Sequence, residues 1–240
     1  MPAMNKSIII VTSFLSLICQ SYMAGDDNCN GYYPTKAGTV YEISSYNGND
    51  KLTGVAKYGI SDAVTAGDTL ILSVSGAWND NNGKPLHTSS FKVKCLHSTV
   101  FMNMSNMGLL DPKQTFPGKG SVTMQGDYLN IPSNPHPDEV LKSGTLTIIL
   151  DHTRKKDTIP WLITSTISNR RVEKMEKITT PAGTFNCVKI TYDVSTFTIF
   201  VVKSHVAEWY ALNTGIVRSE RYSEDGQIQG YSVLTSISGN

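Results

Sequence analysis

Past a short apolar leader, hydrophobic and polar residues alternate with period two along this chain, and Gly, Asn, Asp and Pro interrupt the rhythm at short intervals. Residues 39–46 read as a first strand, with Tyr41 and Ile43 on one face and Glu42 and Ser44 on the other. Residues 46–50 (Tyr-Asn-Gly-Asn-Asp) form a turn that admits positive φ, and 51–60 resume as a strand, so the two make a hairpin. Residues 68–77 set Leu70, Leu72 and Val74 against Ile71, Ser73 and Ser75. A polar loop at 79–85 leads to strands at 87–95 and 100–104.

The middle is less regular. Residues 107–120 contain two prolines and read as a connection carrying at most one helical turn. Short strands follow at 121–124 and 127–131, and then Pro132, Pro135 and Pro137 exclude a central strand or a helix interior. Residues 144–150 return to strand pattern, and 151–160 are a charged loop. The last third is a meander. It comprises a long strand or bent pair at 162–178, then strands at 183–194, 197–202, 207–212, 216–222 and 227–237. About a dozen strands and no evident linker predict one mostly β domain, an antiparallel curved sheet forming a β-roll or half-barrel.

The leader changes the picture by saying where that domain works. Lys6 supplies a small positive region, and residues 7–18 are an apolar run of signal-peptide length, too short to span a bilayer comfortably. The reading is a signal peptide over 1–24, cleaved just after Ala24, and a single β-rich domain over 25–240; a retained membrane anchor is the alternative. Cys19 does not suit lipid attachment, because Ile18 stands where such signals want a small residue. The expected location is therefore the periplasm or cell envelope. Losing Lys6 with the leader turns 21 basic against 20 acidic residues into 20 against 20. A neutral chain gives no global electrostatic reason to bind nucleic acid. Export favours one disulfide among Cys29, Cys95 and Cys187, with one thiol left over. The three pairings stay open; Cys29 is favoured as one partner, because it lies in a tail that gains from being tied down.

Catalytic signals are sparse. There is no GxSxG, and Ser204 and His205 are adjacent, so on a strand they face opposite sides. His87, His97, His136, His152 and His205 show no HxH or HExxH spacing, and no cofactor or metal pattern is present. Glu173, Glu176, Glu208 and Glu220 sit beside apolar neighbours, as outward strand positions do. Methionines cluster at 102, 104, 107 and 124 beside Phe101, Leu109, Leu110 and Phe116, a composition that suits core gaps or an adaptable apolar wall. Trp209 and Tyr210 are adjacent and face opposite sides of a strand. The Pro-rich loop with Trp161 beyond it is a candidate lid across the mouth of the sheet.

Three segments carry a resemblance: 30–38 (NGYYPTKAG), 180–190 (TPAGTFNCVKI), and Glu208-Trp209-Tyr210-Ala211 with 215–220 (GIVRSE). Together they resemble exported DUF3108-like, TapB-type proteins of Bacteroidetes-type bacteria, distantly similar to the LolA and LolB lipoprotein carriers. That resemblance implies a β-roll or half-barrel without a defined activity. The expected function is a non-enzymatic binding or interaction module whose partner is an apolar small molecule or lipid, or an envelope protein. Trp209, Tyr210, Met102 and Met104 are the candidate ligand-binding residues. The rival expectation is an envelope hydrolase with a carboxylate or histidine site at one end of the roll. The carrier reading predicts an apolar cavity of a few hundred Å³, and the hydrolase reading a polar cleft with paired titratable groups.

Overall fold

The computed structural model describes residues 29–106, 122–150 and 161–239. The leader, the 107–120 connection and the charged loop at 151–160 lie outside the described residues. The described chain is built from thirteen strands. They are β1 (Val40–Asn47), β2 (Leu52–Ala66), β3 (Thr69–Asp80), β4 (Pro85–Leu96), β5 (Thr99–Asn103), β6 (Val122–Gly126), β7 (Tyr128–Ile131), β8 (Gly144–Leu150), β9 (Trp161–Thr180), β10 (Gly183–Phe197), β11 (Val201–Ala211), β12 (Gly215–Ser223) and β13 (Ile228–Ser238). One 3₁₀ turn spans Met104–Asn106.

All thirteen strands belong to one antiparallel sheet, ordered β6-β8-β9-β10-β11-β12-β13-β1-β2-β3-β4-β5-β7. A twisted sheet this wide curls, and here it rolls into a nearly closed barrel with one unsealed seam. The edge strands β6 and β7 are consecutive in sequence, joined by Asp127, yet do not pair. Asp127 holds the seam from both sides. Its carbonyl accepts from the Met104 N–H, and its own N–H donates to the Thr145 carbonyl, with 2.9 and 3.0 Å separations.

Alternation decides what lies inside. Leu72 and Val74 of β3, Val93 of β4, Leu146, Ile148 and Leu150 of β8, and Val188, Ile190, Tyr192 and Val194 of β10 all enter the main core. Each fully buried side chain of this kind contributes about 1.5–3 kcal/mol relative to exposure. The segment before β1 is packed in as well: Tyr32 and Tyr33 are buried, and a Cys29–Cys95 disulfide ties it to β4. Gly31 is required there, since a Cβ would lie 2.7 Å from Val100 Cγ2 and 2.8 Å from the Ser98 carbonyl. Among the described residues Cys187 is the free thiol, buried in β10. Cys29 is thus one disulfide partner, as favoured, and Cys95 is the other.

Several expectations need correction. The strand read at 197–202 is a turn: β10 ends at Phe197 and β11 begins at Val201, with the Thr198 N–H donating to the Phe200 carbonyl. The separate strand at 207–212 is the second half of β11. β2 continues six residues beyond Ile60, to Ala66. β9 is a single strand whose pairing with β10 shifts register near Ile190 and Tyr192, so the bend is a pair of irregularities within one element. The Pro-rich stretch after β7 is pinned to β9, with the Leu141 N–H donating to the Arg170 carbonyl and the Asp138 N–H to the Val172 carbonyl. Leu141 itself is in the main core.

Candidate functional site

A largely apolar cavity of about 100 Å³ lies where β1, β2, β4, β5, β11 and the start of β12 meet the segment before β1. Its walls come chiefly from Tyr33, Tyr41, Tyr58, Phe91, Met102 and Tyr210. Cross-strand register explains the stack at its centre. Tyr41 and Tyr58 are partners across β1 and β2, and their rings lie 5.0 Å apart at 15°. Tyr33 meets Tyr41 edge-on, and their hydroxyls share a hydrogen bond of 2.9 Å. Burial pushes the Tyr58 phenol up to about 12 and raises Tyr33 and Tyr41 as well.

Tyr210 lends the cavity its ring, while its hydroxyl donates to Glu208 Oε2 at 2.5 Å. Glu208 and Tyr210 are two residues apart on β11 and share its inner face, so the outward reading of Glu208 is corrected: it is buried. Tyr192 also bonds this carboxyl, and Arg170 and Arg221 lie near enough to favour its charge. Burial outweighs them and holds the Glu208 pKa above the ordinary carboxylate range. Arg170 is itself buried, its Nη1 donating to the Asn130 carbonyl at 2.6 Å.

The four sequence candidates separate into three places. Met102 and Tyr210 line the cavity together. Met104 does not. It begins the 3₁₀ turn and is buried in the main core against Gly144, where a Cβ would lie 2.8 Å from its sulfur. Trp209 faces the other side of β11, as alternation demands, and belongs to a second cluster with Cys187, Ala207 and Val217. Its indole N–H donates to Glu176 Oε1 at 2.7 Å, and Lys189 lies 5.3 Å from its ring centroid. The sequence reading missed Tyr33, Tyr41 and Tyr58. Tyr41 and Tyr58 each stand in the period-two pattern of their strands, but only the β1–β2 register brings them together.

A second concavity, an open groove of about 870 Å³, lies on the sheet between β9 and β12. His205 Nδ1 and Asp193 Oδ1 are 2.9 Å apart, and Asn169 Nδ2 donates to Asp193 Oδ2 at 2.7 Å. These hydrogen bonds hold the Asp193 carboxyl below its usual value. Lys189–Glu173 and Lys203–Glu224 pairs, at 2.8 and 3.2 Å, complete its charged lining. Ser204 is buried beside the exposed His205, so the two do not form a nucleophile–base pair. Burial pushes Cys187, the one free thiol among the described residues, up to about 11. Among the described residues no cluster of His, Cys, Asp and Glu could hold a metal ion.

A model of the DUF3108-like family matches residues 36–234, which include most of the cavity wall. The chain belongs to the DUF3108-like family. Two solved structures share the architecture of this DUF3108-like protein. One is a candidate exported protein with a YmcC-like fold from Bacteroides fragilis NCTC 9343, with 27% identity and a TM-score of 0.71 over 88% of this chain and 100% of the other. The second is a candidate lipoprotein from Parabacteroides distasonis ATCC 8503, with 24% identity and a TM-score of 0.71 over the same shares. No curated protein matches the chain.

Proposed function

We propose that this DUF3108-like protein is a non-enzymatic binding module of the cell envelope, exported to the periplasm, that holds an apolar, lipid-like group in its tyrosine-lined cavity. The observation that carries the reading is how the wall hydroxyls are used. Tyr33 and Tyr41 bond each other and Tyr210 bonds Glu208, so the cavity presents chiefly ring faces and the Met102 thioether to a guest, with Lys92 and Asn103 the polar members of its lining. Such a wall rewards apolar contact and offers few free donors. Export is supported by the leader pattern and by the description of the Bacteroides fragilis relative.

Size narrows the guest. At about 100 Å³ the cavity is smaller than the few hundred Å³ expected of a carrier, and smaller than the ~150 Å³ apolar cavity that takes up benzene. It suits the end of an acyl chain or a comparably slim group, with the remainder of the ligand outside. The test is mass spectrometry of organic extracts from protein purified natively out of the envelope, against a denatured and refolded control. A stoichiometric apolar molecule in the native sample alone, lost when Met102→Trp fills the cavity, is the expected result. An empty native protein whose Met102 methyl resonance also ignores added decanoic acid would remove this reading.

The hydrolase reading draws on the Asp193–His205 pair in the outer groove. Both side chains are about half exposed, and hydrolysis of p-nitrophenyl esters that His205→Ala abolishes would favour it over the binding module.

A further inference from the structure

The turn joining β10 to β11 is apolar to an unusual degree. Phe197, Ile199, Phe200, Val201 and Val202 are 52%, 88%, 65%, 52% and 50% exposed. β9 adds to the same place. Thr164 pairs with Phe197, and continuing that register carries Leu162 and Trp161, 51% and 57% exposed, alongside the turn. From Trp161 to Asn169 and from Phe197 to Val202 there is no charged residue; the first charge on β11 is Lys203, paired with Glu224.

The faces of these residues matter more than their number. Trp161 shares the face of buried Ile163, and Val202 that of buried Val206, so both belong to the inner side of the sheet at the barrel rim. Leu162, Phe197 and Val201 belong to the outer side. A protein partner that covers a sheet face would bury one set and leave the other in water. A tip that is apolar on both faces and without carboxylates is satisfied by a medium that surrounds it.

We propose that the β10–β11 tip, with Trp161 and Leu162 beside it, inserts into the headgroup–acyl boundary of a lipid bilayer and docks the barrel on a membrane surface. Aromatic and aliphatic side chains at such a depth draw on apolar burial. The docking is separate from the tyrosine-lined cavity, on which it does not depend.

The test uses protein purified from an exporting host and vesicles of phosphatidylethanolamine containing phosphatidylglycerol. The expected result is co-flotation of the protein with the vesicles, with Trp161 fluorescence quenched by brominated acyl chains, as judged by difference from Trp161→Phe. Ile199→Asp and Phe200→Asp should each weaken partitioning by about tenfold or more. Val140→Asp, at an 82% exposed site in the segment after β7, should leave it unchanged. Circular dichroism checks that the variants stay folded. Wild-type protein that stays unbound, or tip variants that float as well as wild type, would overturn the proposal. So would a wild-type dimer that fails to float and that Phe200→Asp splits, because the tip would then be an interface between copies.

Discussion

Glu208 sets the sharpest question at the scale of one residue. Two tyrosine hydroxyls and two arginines favour its charged form, yet full burial holds its pKa above the ordinary range. The sign of the linkage follows. Between its unfolded value, about 4.3, and the raised folded value, the folded chain binds more protons than the unfolded one, so stability falls as pH rises through that window. Below the window the penalty is absent; above it the penalty is complete. Glu208→Gln keeps an acceptor for Tyr210 and Tyr192 but cannot ionise. Urea unfolding across that pH range should therefore show a decline in wild type that Glu208→Gln removes, with the variant at least as stable at neutral pH. A wild-type curve that rises with pH would mean that the arginines win and that the carboxylate is ionised inside the barrel.

At the scale of the element, β11 turns two neighbouring aromatics to opposite faces, although the cavity-wall residue Tyr41 packs in the same cluster as Trp209. Trp209 packs in the second cluster and bonds Glu176, whereas Tyr210 walls the cavity. Trp209→Ala should cost about 3–5 kcal/mol in urea unfolding while leaving the response of the Met102 methyl group to decanoic acid intact. If that response vanished with the fold still intact, the two faces would be coupled. The same strand shows how far sequence reasoning reaches. Opposite facing of Trp209 and Tyr210 follows from period two alone, and so does the buried row Leu72 and Val74. The inward position of Glu208 was equally available, because it shares a face with Tyr210; its charge concealed it. The β10–β11 turn was hidden for a different reason. Residues 197–202 are apolar apart from Thr198 and contain neither Gly nor Pro, so nothing local marks the reversal. The tyrosine cavity was out of reach because it depends on register and closure. Tyr33, Tyr58, Met102 and Tyr210 come from distant parts of the chain and meet only when the sheet rolls up.

At the scale of the whole molecule, that rolled sheet is fastened across its strands by the segment before β1. Cys29 bonds Cys95 at the end of β4, the Asn213 N–H donates to the Gly31 carbonyl, and Asn213 Nδ2 donates to Asn30 Oδ1. The segment therefore links the β4–β5 turn to the β11–β12 turn and delivers Tyr33 to the cavity. The disulfide closes a separation of 66 residues, so its loss releases substantial entropy to the unfolded chain. Replacing Cys29 and Cys95 with serine should lower stability by about 2–4 kcal/mol. It should also weaken binding of an apolar probe, because Tyr33 is no longer held against Tyr41. The remaining thiol reports on folding in the same experiment. Cys187 is buried and its pKa is pushed up to about 11, so iodoacetamide should leave it unlabelled in both proteins until they unfold. A serine variant that keeps Cys187 protected but loses the probe would separate the two roles, placing the disulfide's effect on the cavity wall and not on the barrel. A variant with unchanged stability and unchanged probe affinity would show that the hydrogen bonds to Asn213 and the burial of Tyr32 and Tyr33 hold the segment by themselves.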